Sequence, residues 1–236
     1  MPKIYLSPAY HKANDCSVSG CYETAHNNLY MDALEPFLTA CGIDFKRGPR
    51  RTPMSNEDGT ALMEQAVAES NAYGADIHYV SHTNASGNTV GGGKVRGCRP
   101  IIYKGSTRGE KLAGSMVKYR KEVYPYAVQL NRRTDLYELS APAAVSFYEE
   151  HVFHDNPEDA RWFHDHMTEV ARSACKGFCE YFGIPFVEPG TGKTSAAGNT
   201  VAVPAAGMAD KRVIIPFSDS GKAQEFLSAL KKATME

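Results

Sequence analysis

The sequence lacks an excess of charge of either sign. Its 236 residues include 26 Lys and Arg and 27 Asp and Glu, so the formal net charge is −1. A domain that binds nucleic acid normally carries a clear basic excess. The charge balance therefore argues against nucleic acid as a partner. Apolar residues make up 42% of the chain, which is enough for a sizeable core.

Long hydrophobic runs are also missing. No apolar stretch approaches the roughly 18 residues that a membrane-spanning helix needs, so we expect no membrane span. The first residues lead directly into an alternating strand pattern, without the apolar segment and cleavage site of a secretory signal. We therefore expect synthesis in the cytoplasm, and any action outside the cell needs another route of release.

Cysteine is scarce, with six residues in the whole chain. This density is low for a small domain held together by disulfides, and cytosolic thiols stay reduced. Cys175 and Cys179 are four residues apart in a predicted helix, which favours a packed helix face, since free cysteine behaves as a small apolar residue. Half of a metal site is the alternative, but no second pair of cysteines accompanies it.

Helix and strand patterns alternate along residues 1–186. This alternation predicts an α/β fold: a single three-layer domain in which helices flank a mostly parallel central sheet. The basic residues of the helix at 106–123, among them Arg120, are expected to form a solvated face. The predicted strands are 3–7, 43–45, 75–82, 98–103, 136–139 and 144–150, and the predicted helices are 23–41, 55–72, 106–123 and 156–182.

The composition changes near Val187. Residues 187–211 are rich in Gly and Ala and show no periodicity, which predicts a linker. Residues 212–236 contain a strand pattern at 213–217 and a helix pattern at 221–233, a small C-terminal βα element. About 25 residues cannot bury a core of their own, so this tail packs on the main domain, on a second copy or on a partner. Translation from the internal Met208, giving a separate small subunit, is a further hypothesis.

Four polar residues follow or begin predicted elements at one edge of the sheet. His11 follows the first strand, His82 ends a central strand, and Glu23 begins the first helix, while Glu150 ends the last strand. In open α/β sheets, sites assemble beyond the carboxyl ends of the strands. Two His and one Glu leave a zinc ion one open position for water, and a second Glu can act on that water. From spacing alone, scattered structural and surface polar groups remain the alternative.

Four segments carry a resemblance to a known family. The chain resembles the zinc-dependent N-acetylmuramoyl-L-alanine amidases, in the branch that includes bacterial wall-remodelling amidases and phage endolysins. The segments occur in the family's order and at its approximate separations. They are residues 3–11 (KIYLSPAYH), 23–27 (ETAHN), 70–85 (SNAYGADIHYVSHTNA) and 150–159 (EHVFHDNPED).

The resemblance implies His11, Glu23 and His82 as ligands of one zinc ion, and Glu150 as the catalytic acid and base. The adjacent Glu149 is a rival, but strand alternation allows only one of the two to face the metal. The implied substrate is peptidoglycan, cut between N-acetylmuramic acid and the L-alanine of the stem peptide. Tyr10 departs from the family, which usually has glycine directly before the first His.

Substrate contacts are the least defined part of the prediction. Asn27 is a candidate for orienting a ligand of the metal or contacting substrate, without a definite physical role. Arg132 and Arg133 are candidates for binding a stem-peptide carboxylate through paired hydrogen bonds, and solvated loop arginines are the alternative.

Three functions remain open from the sequence. The first is the amidase, the second is another zinc peptidase acting on stem peptides, and the third is a wall-binding module without activity. The C-terminal tail is then a wall-binding element or an assembly element through which copies associate. In each case we expect the protein to act at the cell wall after release.

Overall fold

The computed structural model describes residues 1–12, 14–17, 22–87, 90–190, 200–204 and 212–216. The chain forms two compact units, Met1–Thr191 and Gly192–Glu236. The first unit is a three-layer α/β structure, as the alternating pattern predicts. No helix in the described ranges combines the length and hydropathy needed to cross a bilayer.

A six-stranded sheet forms the centre of the first unit. Its order is β2-β1-β3-β6-β4-β5. All neighbouring pairs are parallel except β4 and β6, which are antiparallel. The prediction of a mostly parallel sheet is confirmed, and the carboxyl ends of β1, β3 and β6 therefore meet at one edge. The strands are β1 Lys3–Pro8, β2 Asp44–Arg47, β3 Ile77–Asn84, β4 Arg99–Tyr103, β5 Asn131–Arg133 and β6 Val145–Phe153.

Among the described residues, six helices cover the two faces of this sheet. Successive strand residues point to opposite faces, so Ile4 and Leu6 of β1 join the core against α1, α3 and α6, whereas Tyr5 packs against Leu62 and Ala66 of α2. The short α4 covers the same face as α2, through Leu139. The helices are α1 Glu23–Ala40, α2 Asn56–Tyr73, α3 Thr107–Val123, α4 Tyr137–Ser140, α5 Pro157–Asp165 and α6 Met167–Phe182.

Local signals position the ends of several helices. The Ser55 side chain accepts a hydrogen bond from the Asp58 amide at the start of α2, and Gly74 ends that helix in the left-handed region at a φ of 66°. The Asn156 side chain likewise caps α5, accepting from the amides of residues 158 and 159. These boundaries are the ones that the sequence predicts.

Three elements differ from the predictions. Residues 136–139 do not form a strand, because the chain enters α4 there; so short an apolar run does not distinguish strand from helix. The single helix predicted at 156–182 is two helices, because His166 leaves the helical conformation between α5 and α6 at φ −120°. Residues predicted as irregular, Asn131–Arg133, pair with β4 as an edge strand.

The second unit contains an antiparallel pair, β7 Thr200–Pro204 and β8 Arg212–Pro216. The strand predicted at 213–217 corresponds to β8. The segment predicted as a linker, 187–211, contains β7, which the sequence analysis did not anticipate because a five-residue alternation is a weak signal in a Gly- and Ala-rich stretch. The helix predicted at 221–233 and Met208 lie outside the described residues.

Candidate metal centre

Three side chains converge at the edge where the parallel strands end. His11 follows β1, Glu23 is the first residue of α1, and His82 lies near the end of β3. One ligand atom from each lies within 4.8 Å of those of the other two. The Glu23 carboxylate is central, with Oε1 3.1 Å from His82 Nδ1 and Oε2 3.6 Å from His11 Nε2. Residues far apart in sequence therefore form one cluster.

The buried Glu23 carboxylate is held in place by neutral donors as well as by the imidazoles. Oε1 accepts a hydrogen bond from the Thr83 amide at 2.9 Å, and Oε2 accepts one from Asn14 Nδ2 at 2.6 Å. Burial raises the pKa of Glu23, but hydrogen bonding and the charge of His82 outweigh it, and the net pKa is about 2. Glu23 is therefore a fixed, ionised carboxylate.

The two histidines are in different environments. His82 is buried and stacks on the Tyr148 ring at a centroid distance of 4.6 Å. Burial disfavours its charged form, yet the hydrogen bond and charge of Glu23 raise the pKa of His82 overall. His11 has a side chain 43% exposed, and burial lowers its pKa. One imidazole is fixed in the wall and the other faces the opening.

Thr24 holds the turn that carries His11. Its Oγ1 accepts a hydrogen bond from the His11 amide at 3.1 Å and donates one to the His11 carbonyl at 2.9 Å. Since Thr24 lies in the first turn of α1, next to Glu23, this clamp fixes two of the three candidate ligands relative to each other. The sequence did not single out Asn14, Thr24, Thr83 and Tyr148, and the only signal for Thr24 and Thr83 was that they directly follow Glu23 and His82.

Glu150 stands beside the cluster. In the β3–β6 register it is paired with His82, so the two side chains share a face of the sheet. Its Oε2 is buried without a hydrogen-bond partner among the described residues. Burial raises the pKa of Glu150 to about 7, the charge of His82 opposing this shift and that of Glu23 adding to it. Glu150 can therefore take up and release a proton near neutral pH.

Glu149 points to the opposite face, into the core. It accepts hydrogen bonds from Arg120 Nε at 2.9 Å and from the Tyr79 hydroxyl at 2.8 Å. Arg120 is only 2% exposed, so the expectation that it belongs to a solvated basic face is wrong. The sequence did not indicate that Arg120 lies on the inner side of α3, because other basic residues of the same helix are close to it in sequence. Glu149 thus lies in a buried ion pair, away from the candidate centre.

Asn27 lies inside the protein rather than at a surface open to substrate. It is fully buried, its Nδ2 donates to the Glu23 carbonyl at 2.9 Å, and its Oδ1 accepts from the Ser81 hydroxyl at 2.5 Å. Ser81 in turn lies 2.9 Å from His151 Nε2. Of its two candidate roles, substrate contact is excluded by burial, and Asn27 instead links the first turn of α1 to β3.

The two candidate arginines are on opposite faces of β5. Arg133 is paired in register with Tyr103, and it is close enough to Glu150 for its charge to lower that group's pKa. Arg132 is paired with the buried Ile102 on the other face and binds Glu110 of α3 at 2.5 and 2.8 Å. Only Arg133 is therefore on the side of the candidate centre, where it also pairs with Asp135.

A groove of about 250 Å³ opens next to the cluster. His11, His82 and the buried Glu138 line one side, and the first turns of α2 line the other. Gly59 of α2 packs so closely that an added Cβ would lie 2.6 Å from the Tyr10 carbonyl oxygen. The groove therefore runs beside the exposed imidazole of His11.

The donor set matches a zinc ion. Zinc in catalytic sites takes three protein ligands from imidazole nitrogen and carboxylate oxygen, and leaves a further position open. The ionised, buried Glu23 supplies negative charge, and the unpartnered Oε2 of Glu150 lies beside the cluster without being needed as a ligand. The residues present therefore fit such an ion.

Comparisons with known proteins support the fold. No protein-family model matches the sequence, and no curated protein sequence matches it. Among solved structures, the chain is similar to the catalytic domain of CwlV, an N-acetylmuramoyl-L-alanine amidase from Bacillus (Paenibacillus) polymyxa var. colistinus. The identity is 17% and the TM-score 0.65, over 78% of this chain and 100% of that chain.

Two further amidase structures show the same likeness. The CwlD amidase from Clostridioides difficile, solved in complex with the GerS lipoprotein, has 15% identity and a TM-score of 0.66, over 78% of this chain and 99% of that one. The catalytic domain of the CD27L endolysin, which targets Clostridia difficile, has 20% identity and a TM-score of 0.61, over 76% and 98%. The first unit therefore has the fold of these amidases.

Proposed function

We propose that this protein is a zinc-dependent N-acetylmuramoyl-L-alanine amidase that hydrolyses the bond between N-acetylmuramic acid and L-alanine in peptidoglycan. The observation that carries the proposal is the convergence of His11, Glu23 and His82 beside Glu150, on a fold shared with solved amidases. Neither the fold nor the cluster alone is sufficient, because one fold hosts many functions.

His11, Glu23 and His82 would hold the zinc ion. When bound, zinc lowers the pKa of a water molecule and polarises a carbonyl group, which are the two changes that amide hydrolysis needs near neutral pH. Asn14 and the Thr83 amide keep the Glu23 carboxylate oriented, and Thr24 keeps His11 in position. These residues supply the rigidity that a metal site requires from the groups around its ligands.

Glu150 would act as the general base and then the general acid. It takes a proton from the attacking water and returns it to the nitrogen of the leaving L-alanine, which is otherwise a poor leaving group. In the metal-free chain, burial raises the pKa of Glu150 to about 7, so this carboxyl group can carry a proton near neutral pH. The buried position of the carboxylate keeps bulk water from competing for that proton.

The groove and Arg133 would bind the substrate. The groove past His11 accommodates an extended chain, and Arg133 is the arginine on this side of the sheet. Its guanidinium can form paired hydrogen bonds with a stem-peptide carboxylate once it leaves Asp135. We place this action at the cell wall, after release from the cell that makes the protein.

Product analysis tests the proposal against the two other functions. Purified peptidoglycan is digested with the wild-type chain, and the products are identified by mass spectrometry and by labelling of new N-termini. The amidase releases free muramoyl lactyl groups together with new L-alanine N-termini. New termini at other residues would establish a peptidase, and zinc binding without any release would establish a wall-binding module.

Variants and chelation connect the activity to the site. We expect Glu150→Gln to lower kcat by at least about 100-fold while zinc content is kept, since general acid–base catalysis contributes about 10²–10⁴-fold. His82→Ala should lose zinc and activity together. Glu122→Gln, an exposed glutamate of α3, is the matched control and should behave as wild type. Full activity after thorough chelation would overturn the zinc assignment.

A further inference from the structure

Three cysteines meet in the helical layer, away from the residues of the candidate metal centre. Cys175 and Cys179 lie one turn apart on α6, so they share a face of that helix. Cys41 directly follows the last residue of α1 and is the C-terminal cap of that helix. Their sulfur atoms all lie within 4.8 Å of one another, and Cys175 Sγ is 3.6 Å from Cys41 Sγ. The partner that the 175/179 pair lacked in the sequence is therefore supplied by a residue more than one hundred positions away.

The one sulfur–sulfur distance between helices, from Cys41 to Cys175, is close to the edge of a tetrahedral thiolate site. Zinc–sulfur bonds are about 2.3 Å long, and ligands at the corners of a tetrahedron are then about 3.8 Å apart. The measured 3.6 Å between Cys41 and Cys175 is close to that edge. Cys175 and Cys179 are buried, whereas Cys41 is only half-buried. The cluster therefore has an opening through which an ion can enter.

We propose that Cys41, Cys175 and Cys179 form a second metal site, which binds a soft, thiophilic divalent cation such as zinc. Thiolates prefer such ions over the harder magnesium and calcium. Binding releases the thiol protons to solvent, and water or a small external thiol completes the fourth position. This proposal does not depend on the proposed amidase activity.

Basic residues surround the cluster and offset its charge. Three thiolates and one divalent ion leave a net charge of −1. Arg172 lies over the ring of Phe37, one turn before Cys41, and Lys176 lies over the ring of Phe186, next to Val187. Both cations belong to the same helix as Cys175 and Cys179; Arg172 also pairs with Glu188 at 2.9 Å, which leaves Lys176 to offset the excess negative charge.

The site would join three parts of the chain. The Val187 amide donates to Cys41 Sγ at 3.2 Å, and the Ile184 amide donates to the Cys179 carbonyl at 3.0 Å. The end of α1, the helix α6 and the segment 184–187 therefore meet at the cysteines. A metal ion here would hold the end of α1 and the helix α6 together beside the segment 184–187.

Cobalt(II) is the probe that separates the two sites in one measurement. The full chain is reduced, stripped of metal and titrated with Co²⁺, and near-ultraviolet absorption reports thiolate-to-cobalt charge transfer. We expect the chain to bind two equivalents of Co²⁺, one of which produces the charge-transfer band. The His11, Glu23 and His82 cluster contains no sulfur, so it cannot produce this band.

Variants assign the band. Cys175→Ser and the half-buried Cys41→Ser should each lose the band and one equivalent of cobalt, while retaining the other equivalent. His82→Ala should retain the band, and Cys98→Ser, a buried cysteine outside the cluster, should be unchanged. Zinc added to the cobalt-loaded protein should abolish the band by displacement.

His82→Ala should also unfold at a higher temperature with zinc than without it, and this shift should vanish in the His82→Ala/Cys41→Ser double variant.

Two results would overturn the second site. One is the absence of the charge-transfer band in the wild-type chain when a thiol titration shows that its cysteines are reduced. The other is a band that persists in both Cys175→Ser and Cys41→Ser. Loss of the amidase activity has no bearing on either result, so the two proposals fail separately.

Discussion

Two adjacent glutamates of β6 occupy different environments. Glu149 and Glu150 are adjacent, but strand alternation directs one to Arg120 in the core and the other to His82 at the candidate centre. Glu149 pairs with the Arg120 guanidinium, whereas no described residue forms an ion pair with Glu150, and burial raises the pKa of Glu150 to about 7. Identical side chains therefore acquire different chemistry from their faces of one strand.

The raised pKa of Glu150 predicts that this residue lowers the free energy of unfolding of the metal-free protein by an amount that depends on pH. Its pKa is about 7 in the folded state against an ordinary 4.5, so the folded state holds the proton more tightly. Unfolding then releases a proton from Glu150 when the pH lies between these two values. The contribution of Glu150 to the free energy of unfolding therefore falls as the pH rises from about 4.5 to about 7, and it is constant above that. At about 1.4 kcal/mol per pKa unit, the cost is on the order of 3 kcal/mol at pH 8.

Urea denaturation of chelated protein measures this effect. We expect Glu150→Gln to gain stability relative to wild type as pH is raised from 4.5 to 8. Glu122→Gln, with its exposed side chain, should show a difference that does not change with pH. A Glu150→Gln difference that is equally constant would mean that Glu150 titrates at its ordinary value.

Replacing Glu149 should damage stability rather than chemistry. Glu149→Gln leaves the guanidinium of Arg120 buried and without its carboxylate, which typically costs about 3–5 kcal/mol. The folded fraction should keep kcat within about threefold of wild type. Denaturation curves and active-site-normalised rates check both parts. Lost activity at unchanged stability would make Glu149 the catalytic residue instead.

At the scale of elements, α3 and α6 pack through a glycine. An added Cβ at Gly177 of α6 would lie 2.5 Å from Met116 Sδ and 3.0 Å from Met116 Cα. The sulfur can move aside, but the backbone of α3 cannot do so without shifting the helix. The close approach of these helices is thus set by the absence of a side chain at residue 177.

A pair of glycine substitutions tests this packing. Gly177→Ala should lower the free energy of unfolding by about 1–3 kcal/mol, since overpacking at a helix interface costs this much. Gly114→Ala, in α3, meets nothing within 4 Å and should instead gain about 0.5–1 kcal/mol from helix propensity. Thermal or urea unfolding compares the two. A gain of stability in both variants would show that α3 and α6 have room between them.

Helix and strand boundaries were predictable to different degrees. Ser55, Gly74 and Asn156 mark the ends of α2 and the start of α5 by local chemistry, and the structure has those ends. The break at His166 and the strand at 131–133 depend on packing and pairing with distant segments, so neither has a local signal.

At the scale of the whole molecule, the chain consists of two compact units that divide near residue 191. The predicted boundaries, with a linker at 187–211 and a tail at 212–236, remain a proposal, as does a role for the tail in wall binding or in association of copies. The β7–β8 pair is too small to be stable alone as an isolated hairpin. It therefore needs the rest of its unit, or another surface, to persist.

Truncation tests this division. A chain ending at Gly190 should retain the first unit, with an unfolding midpoint within a few degrees of the full chain and the same rate on small muropeptides. If the tail joins copies or binds walls, only the full chain should form dimers in sedimentation experiments or cosediment with wall fragments. A truncated chain that fails to fold would show that the two units depend on each other.

The alternation of elements, the helix caps, and the histidines and glutamates that follow or begin the elements could all be read from the sequence. These properties are local: capping needs residues three apart, and strand or helix period needs a few turns of chain. The positions of His11, Glu23, His82 and Glu150 at element ends made a shared site possible, but the resemblance to the amidase family was what singled out these four residues.

The face that each residue takes, and the distant groups that it meets, became known from the folded structure. Strand alternation predicts that Glu149 and Glu150 point to opposite faces of the sheet, as do Arg132 and Arg133. Which face each residue takes depends on the elements that pack against the sheet. The contact of Cys41 with Cys175 joins two helices that are adjacent only in the fold. Side-chain burial and long-range contact arise from the packing of whole elements, and no short window of sequence contains that information.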